Sequence, residues 1–429
     1  MTVANVKEGP ISQKRSIGLA VLVVALGYFV DIYDLVLFVI IRVKSLNGIG
    51  IVDPIAVREI GAMLLSIQMY GMLVGGILWG ILGDKKGRLS VLFGSICLYS
   101  LANLANAYIV PIGEMCNADP VTVYAILRFL AGVGLAGELG AGITLVSEMM
   151  SRESRGWGTS LVAGIGVLGA AVAYLIGDQF AWNIAYIVGG VMGLALLCLR
   201  IGVMESGMFK DVASKKDVSK GNFLSLFSSK QRILRYAGVI LIGLPLWYVV
   251  GILIGFSNDI GRALGMTQAP DPGRGVMFFY IGLSLGNLVI GVISQYMKSR
   301  KKPTLIFLSM TAISIYVYFF CGPFSLDGFY WVCLMLGIFA GSWAMFVTIA
   351  AEQFGINIRA TVATTAPNFV RGLVGPMVLV WQFGTPLLGM IGSAAALAVV
   401  VMSLSIGSLF VIRETFGKDL DYVESHEAA

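Results

Sequence analysis

Five ionisable residues stand in stretches of the chain that are otherwise almost wholly apolar: Asp31, Asp34, Arg128, Glu138 and Arg371. At bilayer depth a charged side chain costs about 2.5–3.5 kcal/mol even on lenient scales, so such residues are candidates for function. Two chemistries follow from their types. A desolvated carboxylate holds its proton more tightly, and a neighbouring arginine loosens it again, so Asp31, Asp34 or Glu138 can carry a proton between environments. An arginine stays charged at any working pH and presents a fork of parallel donors, which suits Arg371 to an anionic group of a bound solute. A static interhelical ion pair is the competing reading for each, most evenly balanced for Arg128 and Asp34. The only histidine, His426, lies in the polar tail, so proton chemistry within apolar segments must use carboxylates.

Such residues need helices to hold them in lipid. Of 429 residues 57% are hydrophobic and 13% charged, about half the charge of a soluble domain. Apolar runs of about 20 residues are needed to cross a bilayer. They fall near 17–41, 60–83, 89–110, 122–148, 157–178 and 182–203, then near 236–258, 275–297, 303–322, 328–353, 361–384 and 387–412. The expected fold is an all-α membrane protein of about twelve helices in two six-helix bundles, 17–203 and 236–412. A segment 1–16, a basic linker 204–235 and a tail 413–429 complete the division. The linker carries Phe223, Leu224, Leu226 and Phe227, enough to lie on an anionic leaflet or to serve as a tether.

The net charge of +6 is distributed in short clusters between apolar runs, which argues against nucleic acid. Lysine and arginine crowd one set of loops, Lys85, Lys86, Arg88, Arg152, Arg155, the linker, Lys298 to Lys302 and Arg413 among them. That side is expected to be cytoplasmic, with both termini on it. Ile17 opens an apolar stretch too long for the core of a cleavable signal. Cys97, Cys116, Cys198, Cys321 and Cys333 lack metal-ligand spacing; free thiols are expected, with a Cys321–Cys333 bridge as the alternative. No metal cluster, nucleophile–base pair or cofactor motif is present, so neither an enzyme nor a cofactor is expected.

The halves echo each other. Glu148 and Arg155 end the fourth span and open the fifth; Glu352 and Arg359 do the same for the tenth and eleventh. A carboxylate at a helix C-terminus and an arginine at an N-terminus each oppose the helix dipole. Their repetition is expected if they pair with each other or with a third group.

The turn after the second span, Gly80-Ile-Leu-Gly-Asp84-Lys85-Lys86-Gly87-Arg88, resembles the signature loop of the major facilitator superfamily. Its counterpart, Gln295 to Lys302, keeps the charge without the aspartate. Arg128-Phe-Leu-Ala-Gly132-Val-Gly134-Leu-Ala-Gly137-Glu138 resembles the family's Arg-then-glycine signature. GELGAG into SEMMSRESRG (137–156) and EQFGINIRATVATTAPNFVRG (352–372) are similar to its metabolite:proton symporter and organic-ion branches. The proline-containing signature of drug antiporters is absent from span five. The resemblance implies a secondary transporter in which spans 1, 4, 7 and 10 line a central cavity, with span 11 at the interface. On that plan Arg128 pairs with Asp34, leaving Asp31, Glu138 and Arg371 nearer the centre, with Gln68, Tyr70, Trp343 and Asn368 as further substrate contacts. Gly80, Asp84, Lys85, Gly87, Arg88, Glu148, Arg155, Glu352 and Arg359 are the gating candidates. The leading expectation is proton-coupled symport of a small organic anion by a monomer in the bacterial inner membrane. A uniporter or exchanger of a zwitterionic or neutral metabolite, and proton-driven cation or drug efflux, stay open.

Overall fold

In the computed structural model, residues 10–86, 88–138, 140, 155–205 and 223–417 are described, and they are helical almost throughout. Among the described residues nine stretches are long and apolar enough to cross a membrane, and a bent pair, Ser90–Asn106 with Ile109–Cys116, makes a tenth. The stretch Thr361–Val411 turns at Gly389, whose φ of 71° lies in the left-handed region, so it is two spans. The short apolar helix Pro120–Leu135 opens the fourth. Twelve spans result, as the apolar runs require.

The spans begin where the sequence supplies caps. Asp53, Asp119 and Asp271 each precede a proline and accept a hydrogen bond from the backbone N–H three residues on, at 2.8, 3.1 and 2.7 Å. Ser325 does the same for Gly328 at 3.2 Å. These caps open spans 2, 4, 8 and 10 at the same end of the bundle, satisfying N–H groups that a helix start leaves without partners.

The halves also repeat in packing. Gly71, Gly75 and Gly132 leave spans 2 and 4 so close that a Cβ would strike the carbonyls of Phe129, Val133 and Gln68. Gly282, Gly286 and Gly337 do the same between spans 8 and 10, against Leu334, Ile338 and Phe279. Without a hydrophobic drive between helices in lipid, such close backbone approach is what holds them.

The halves meet along spans 2 and 11 and along spans 5 and 8. At the capped end Arg42 of span 1 donates to Asn258 at 3.2 Å and lies 4.2 Å over the Phe256 ring of the other half. Towards the opposite, basic end, Asn368 of span 11 donates to the Ala136 carbonyl of span 4 at 2.8 Å, and Gly140 abuts Thr364. These contacts join the two halves at both ends of the bundle. Part of the linker, Phe223–Phe227, is a 3-10 helix with Leu226 buried, its rings packed on Tyr236 and Phe369.

Candidate functional site

The first span carries Tyr28, Asp31 and Asp34 on one face, about one turn apart. Span 5 breaks at Leu168, and Gly166 and Gly169 bring it against Tyr28 and the backbone of Phe29. All three polar side chains are buried. Asp31 lies within electrostatic range of Arg371, Glu138, Asp34 and Arg200, yet neither of its oxygens has a hydrogen-bond partner among the described residues.

Arg371 faces it from span 11, 1% exposed. Its Nη1 donates to Asn368 Oδ1 at 3.1 Å, and the guanidinium lies 5.6 Å from the centre of the Trp247 ring. Nε and Nη2 have no hydrogen-bond partner among the described residues. Those two atoms form one edge of the guanidinium, the geometry that accepts both oxygens of a carboxylate. Asn368 fixes that orientation, since its own amide is spent on the Ala136 and Thr364 carbonyls at 2.8 and 2.9 Å.

Aromatic rings surround this edge. Trp247 and Trp343 meet edge to face at 6.4 Å, and Phe346 lies 4.7 Å from Trp343. Tyr28 reaches Trp343, and Tyr280 stands near both Tyr28 and Arg371. Pro245 interrupts span 7 just before Trp247, and the helix continues as a π segment, Val249–Ile254. A proline removes one ladder hydrogen bond, and local rewinding of this kind re-aims side chains.

Glu138 is taken up elsewhere. Both its oxygens accept from Arg200 of span 6, Oε2 from Nη1 at 3.0 Å and Oε1 from Nη2, and both residues are buried. Gly27 leaves the room for this pair. Sequence reading missed Arg200. It stands three residues before the expected end of the sixth span, where an arginine ordinarily snorkels to the interface. The charge of Glu138, unanswered on its own span, was the signal that could have found it.

The expected Arg128–Asp34 bond is not formed. Arg128 Nη2 donates to Gln68 Oε1, and the guanidinium lies 4.8 Å from the Phe38 ring centre and 5.9 Å from that of Tyr186. Gln68 therefore serves the interior of the N-terminal half rather than the central chamber; its Nε2 donates to the Leu35 carbonyl at 3.3 Å. The amide and the ring faces hold the guanidinium, while Asp34 turns to Gly189 of span 6. Tyr70 packs on Gly375 at the seam of spans 2 and 11.

At the basic end the pairing of Glu352 with Arg359 is replaced by a third group. Arg300 grips Glu352 with Nε and Nη2 at 3.2 and 3.1 Å, and Thr415 donates to Glu352 at 2.6 Å. Arg359 instead donates to the Ala351 carbonyl at 3.1 Å. Glu414, just past span 12, accepts from the Ser299 hydroxyl at 2.5 Å and from the N–H groups of Arg300 and Lys301 at 2.8 and 3.2 Å. Partial burial pushes the Glu414 carboxyl up, but these bonds and the Phe416 N–H outweigh it and bring it down to about 2. Gly80 faces Thr365 across the seam. The side chains of Asp84, Lys85, Arg88, Glu148 and Arg155, and Gly87 altogether, lie outside the described residues. Among the described residues the cysteines are free, Cys321 and Cys333 included, and no group of His, Cys, Asp and Glu could hold a metal.

Known proteins bear on this arrangement. The chain is 27% identical to a putative niacin/nicotinamide transporter of Bacillus subtilis, over 87% of this chain and 89% of that one. It is 28% identical to the 3-(3-hydroxy-phenyl)propionate transporter of Escherichia coli K12, over 77% and 80%. The structure superposes on the proton:xylose symporter XylE with a TM-score of 0.72 at 17% identity, over 95% of this chain and 98% of that one, a likeness of fold. Residues 15–379 match the profile of the Major Facilitator Superfamily, and this integral membrane transporter belongs to that family.

Proposed function

We propose that the chain carries a small aromatic or heteroaromatic monocarboxylate together with a proton, by alternating access. The observation that carries this reading is the free Nε–Nη2 edge of Arg371, set among Trp247, Trp343, Tyr28 and Tyr280. A carboxylate fits the edge bidentately and a flat ring fits the aromatic walls. The names of the relatives give niacin/nicotinamide and a phenylpropionate, of which niacin and the phenylpropionate are solutes of this chemistry.

Asp31 is the proton carrier in this scheme. With the substrate anion on Arg371, a second anion on Asp31 in the same buried centre costs Coulomb energy in a medium of low effective dielectric. Protonation of Asp31 relieves that repulsion, so anion and proton enter the closed state together. Asp34 passes protons to Asp31 from one turn away, and the Glu138–Arg200 pair holds spans 4 and 6 together. Trp343 and Asn368 complete the chamber. The Glu352–Arg300–Glu414 network closes the basic end, which faces the cytoplasm of a bacterial inner membrane. One copy suffices.

The test is uptake of radiolabelled nicotinate and benzoate into proteoliposomes. Accumulation under an imposed inward proton gradient, abolished by a protonophore, supports the proposal. Counterflow with no gradient-driven accumulation would point to a uniporter or exchanger. Transport of organic cations but of no carboxylate would overturn it in favour of efflux.

A further inference from the structure

The third span carries polar residues that the chamber does not use. Tyr99, Ser100, Asn103 and Asn106 are all completely buried. The Tyr99 and Ser100 hydroxyls and both amide atoms of Asn103 and of Asn106 have no hydrogen-bond partner among the described residues. Both oxygens of Asp34, and Nε and Nη1 of Arg128, are in the same condition. Unpartnered buried polar atoms are rare one at a time. Here they form a continuous set in one half of the molecule.

Their placement is ordered. Tyr99, Asn103 and Asn106 recur at i, i+4 and i+7, one face of the helix. Asn106 ends the span at the corner where the chain turns by 85° into Ile109–Cys116, at the capped end of the bundle. From there the face leads inwards to Asn103, whose amide approaches Asp34, and to Tyr99, within range of Asp34, Asp31, Glu138 and Arg200. Span 6 gives this row its groove: Asp34 lies against Gly189 and Ser100 against Gly193, one turn apart. Neighbours on the face are separated by about 4.5–6 Å of helix rise. Two water hydrogen bonds of about 2.8 Å span that distance.

We propose that this face of span 3 holds a file of water inside the N-terminal half, which carries the coupling proton from the capped end to Asp34 and on to Asp31 without entering the substrate chamber. The inference rests on the proton-coupled reading above. Each water accepts one proton and gives one up, and the Asp34 carboxylate receives it. The titratable groups facing Asp34 are Arg128 of span 4, Tyr99 of span 3, Tyr186 of span 6, and Asp31 and Tyr33 of its own helix. Asn103 and Asn106 position the file.

The test compares the full-length chain in proteoliposomes with its Asn103→Leu, Asn106→Leu, Ser100→Ala and Asn103→Ser variants. Three quantities are read: gradient-driven accumulation of nicotinate or benzoate, counterflow of the same probe at equal pH, and hydroxyl-radical labelling of Tyr99 after an X-ray pulse. The leucine variants are expected to lose driven accumulation by about tenfold, the worth of one buried hydrogen bond, while counterflow persists. Asn103→Ser restores accumulation, and Tyr99 is labelled in the unaltered chain but not in Asn103→Leu. Accumulation unchanged in both leucine variants, or falling together with counterflow, would overturn the route. If a leucine variant fails to fold, Ser100→Ala and Tyr99 labelling decide it. An unaltered chain without gradient-driven accumulation refutes proton coupling itself; an unlabelled Tyr99 refutes the water file.

Discussion

The two halves share caps, span order and glycine-mediated packing, but they bury charge differently. The N-terminal half encloses three carboxylates, Asp31, Asp34 and Glu138, with Arg128 and Arg200; among the described residues the C-terminal half buries no carboxylate and places Arg371 at the seam. Where the C-terminal half does use carboxylates, at Glu352 and Glu414, they are at the basic end and richly hydrogen-bonded. Satisfied ionic groups hold helices in place, whereas unsatisfied ones in a buried core are candidates for a partner. On the proposed reading, a symmetric backbone supports an asymmetric division of labour, with protons handled in one half and the anion anchored by the other.

The largest expected effect comes from removing the anchor. Arg371→Ala deletes the two charge-assisted hydrogen bonds proposed to hold the solute, each worth about 1.5–3 kcal/mol, so carboxylate binding should weaken at least ~100-fold. Arg371→Lys keeps the charge but not the fork, and should recover only part of the affinity, read as KM in uptake. Equal KM in all three proteins would break the assignment of the anion to the C-terminal half.

Next is the Glu138–Arg200 pair. Glu138→Leu leaves a buried guanidinium unpaired and should cost about 3–5 kcal/mol of stability, visible as a lower Tm in detergent. The double variant Glu138→Leu/Arg200→Met should regain most of it. Glu138→Gln is expected to retain gradient-driven accumulation; its loss, with folding intact, would return Glu138 to the proton route.

The basic-end network is smaller in effect. Glu352→Gln weakens the grip of Arg300, costing about 1.5–3 kcal/mol and raising protease sensitivity near residue 300. Smallest is Glu414→Gln. Its carboxyl is held down to about 2 against an ordinary 4.5. The stability it contributes is present above pH ~4.5 and is lost as pH falls towards ~2. The Tm difference between this variant and the unaltered chain should therefore be full at pH 7 and vanish near pH 2.

Most of the architecture was legible because lipid forces it. A run of twenty apolar residues has to be a helix, whereas the helix starts at Asp53-Pro54 and Asp271-Pro272 lie several residues before the apolar runs near 60–83 and 275–297. The buried charges were legible as such, since Asp31, Glu138 and Arg371 are out of place in apolar runs. Partners were not. Arg200 sits near a helix end, where an arginine has a bland explanation, and only the crossing of spans 4 and 6 brings it to Glu138. Arg128 was expected on Asp34 by matching opposite charges at similar depth, but Gln68 on span 2 was better aimed. Glu414 lies beyond the last span in what reads as an acidic tail, so its capping of span 9 needed three-dimensional structure. The row on span 3 is spaced to show a helical face, but ordinary polar residues there do not announce that they lack partners.

The division between the halves is tested most directly by Asp31→Asn, assayed twice in the same proteoliposomes. Gradient-driven accumulation of nicotinate or benzoate should be abolished while counterflow at equal pH persists, since the anchor at Arg371 is intact. Gradient-driven accumulation at the unaltered level would contradict the assignment of the proton to the N-terminal half.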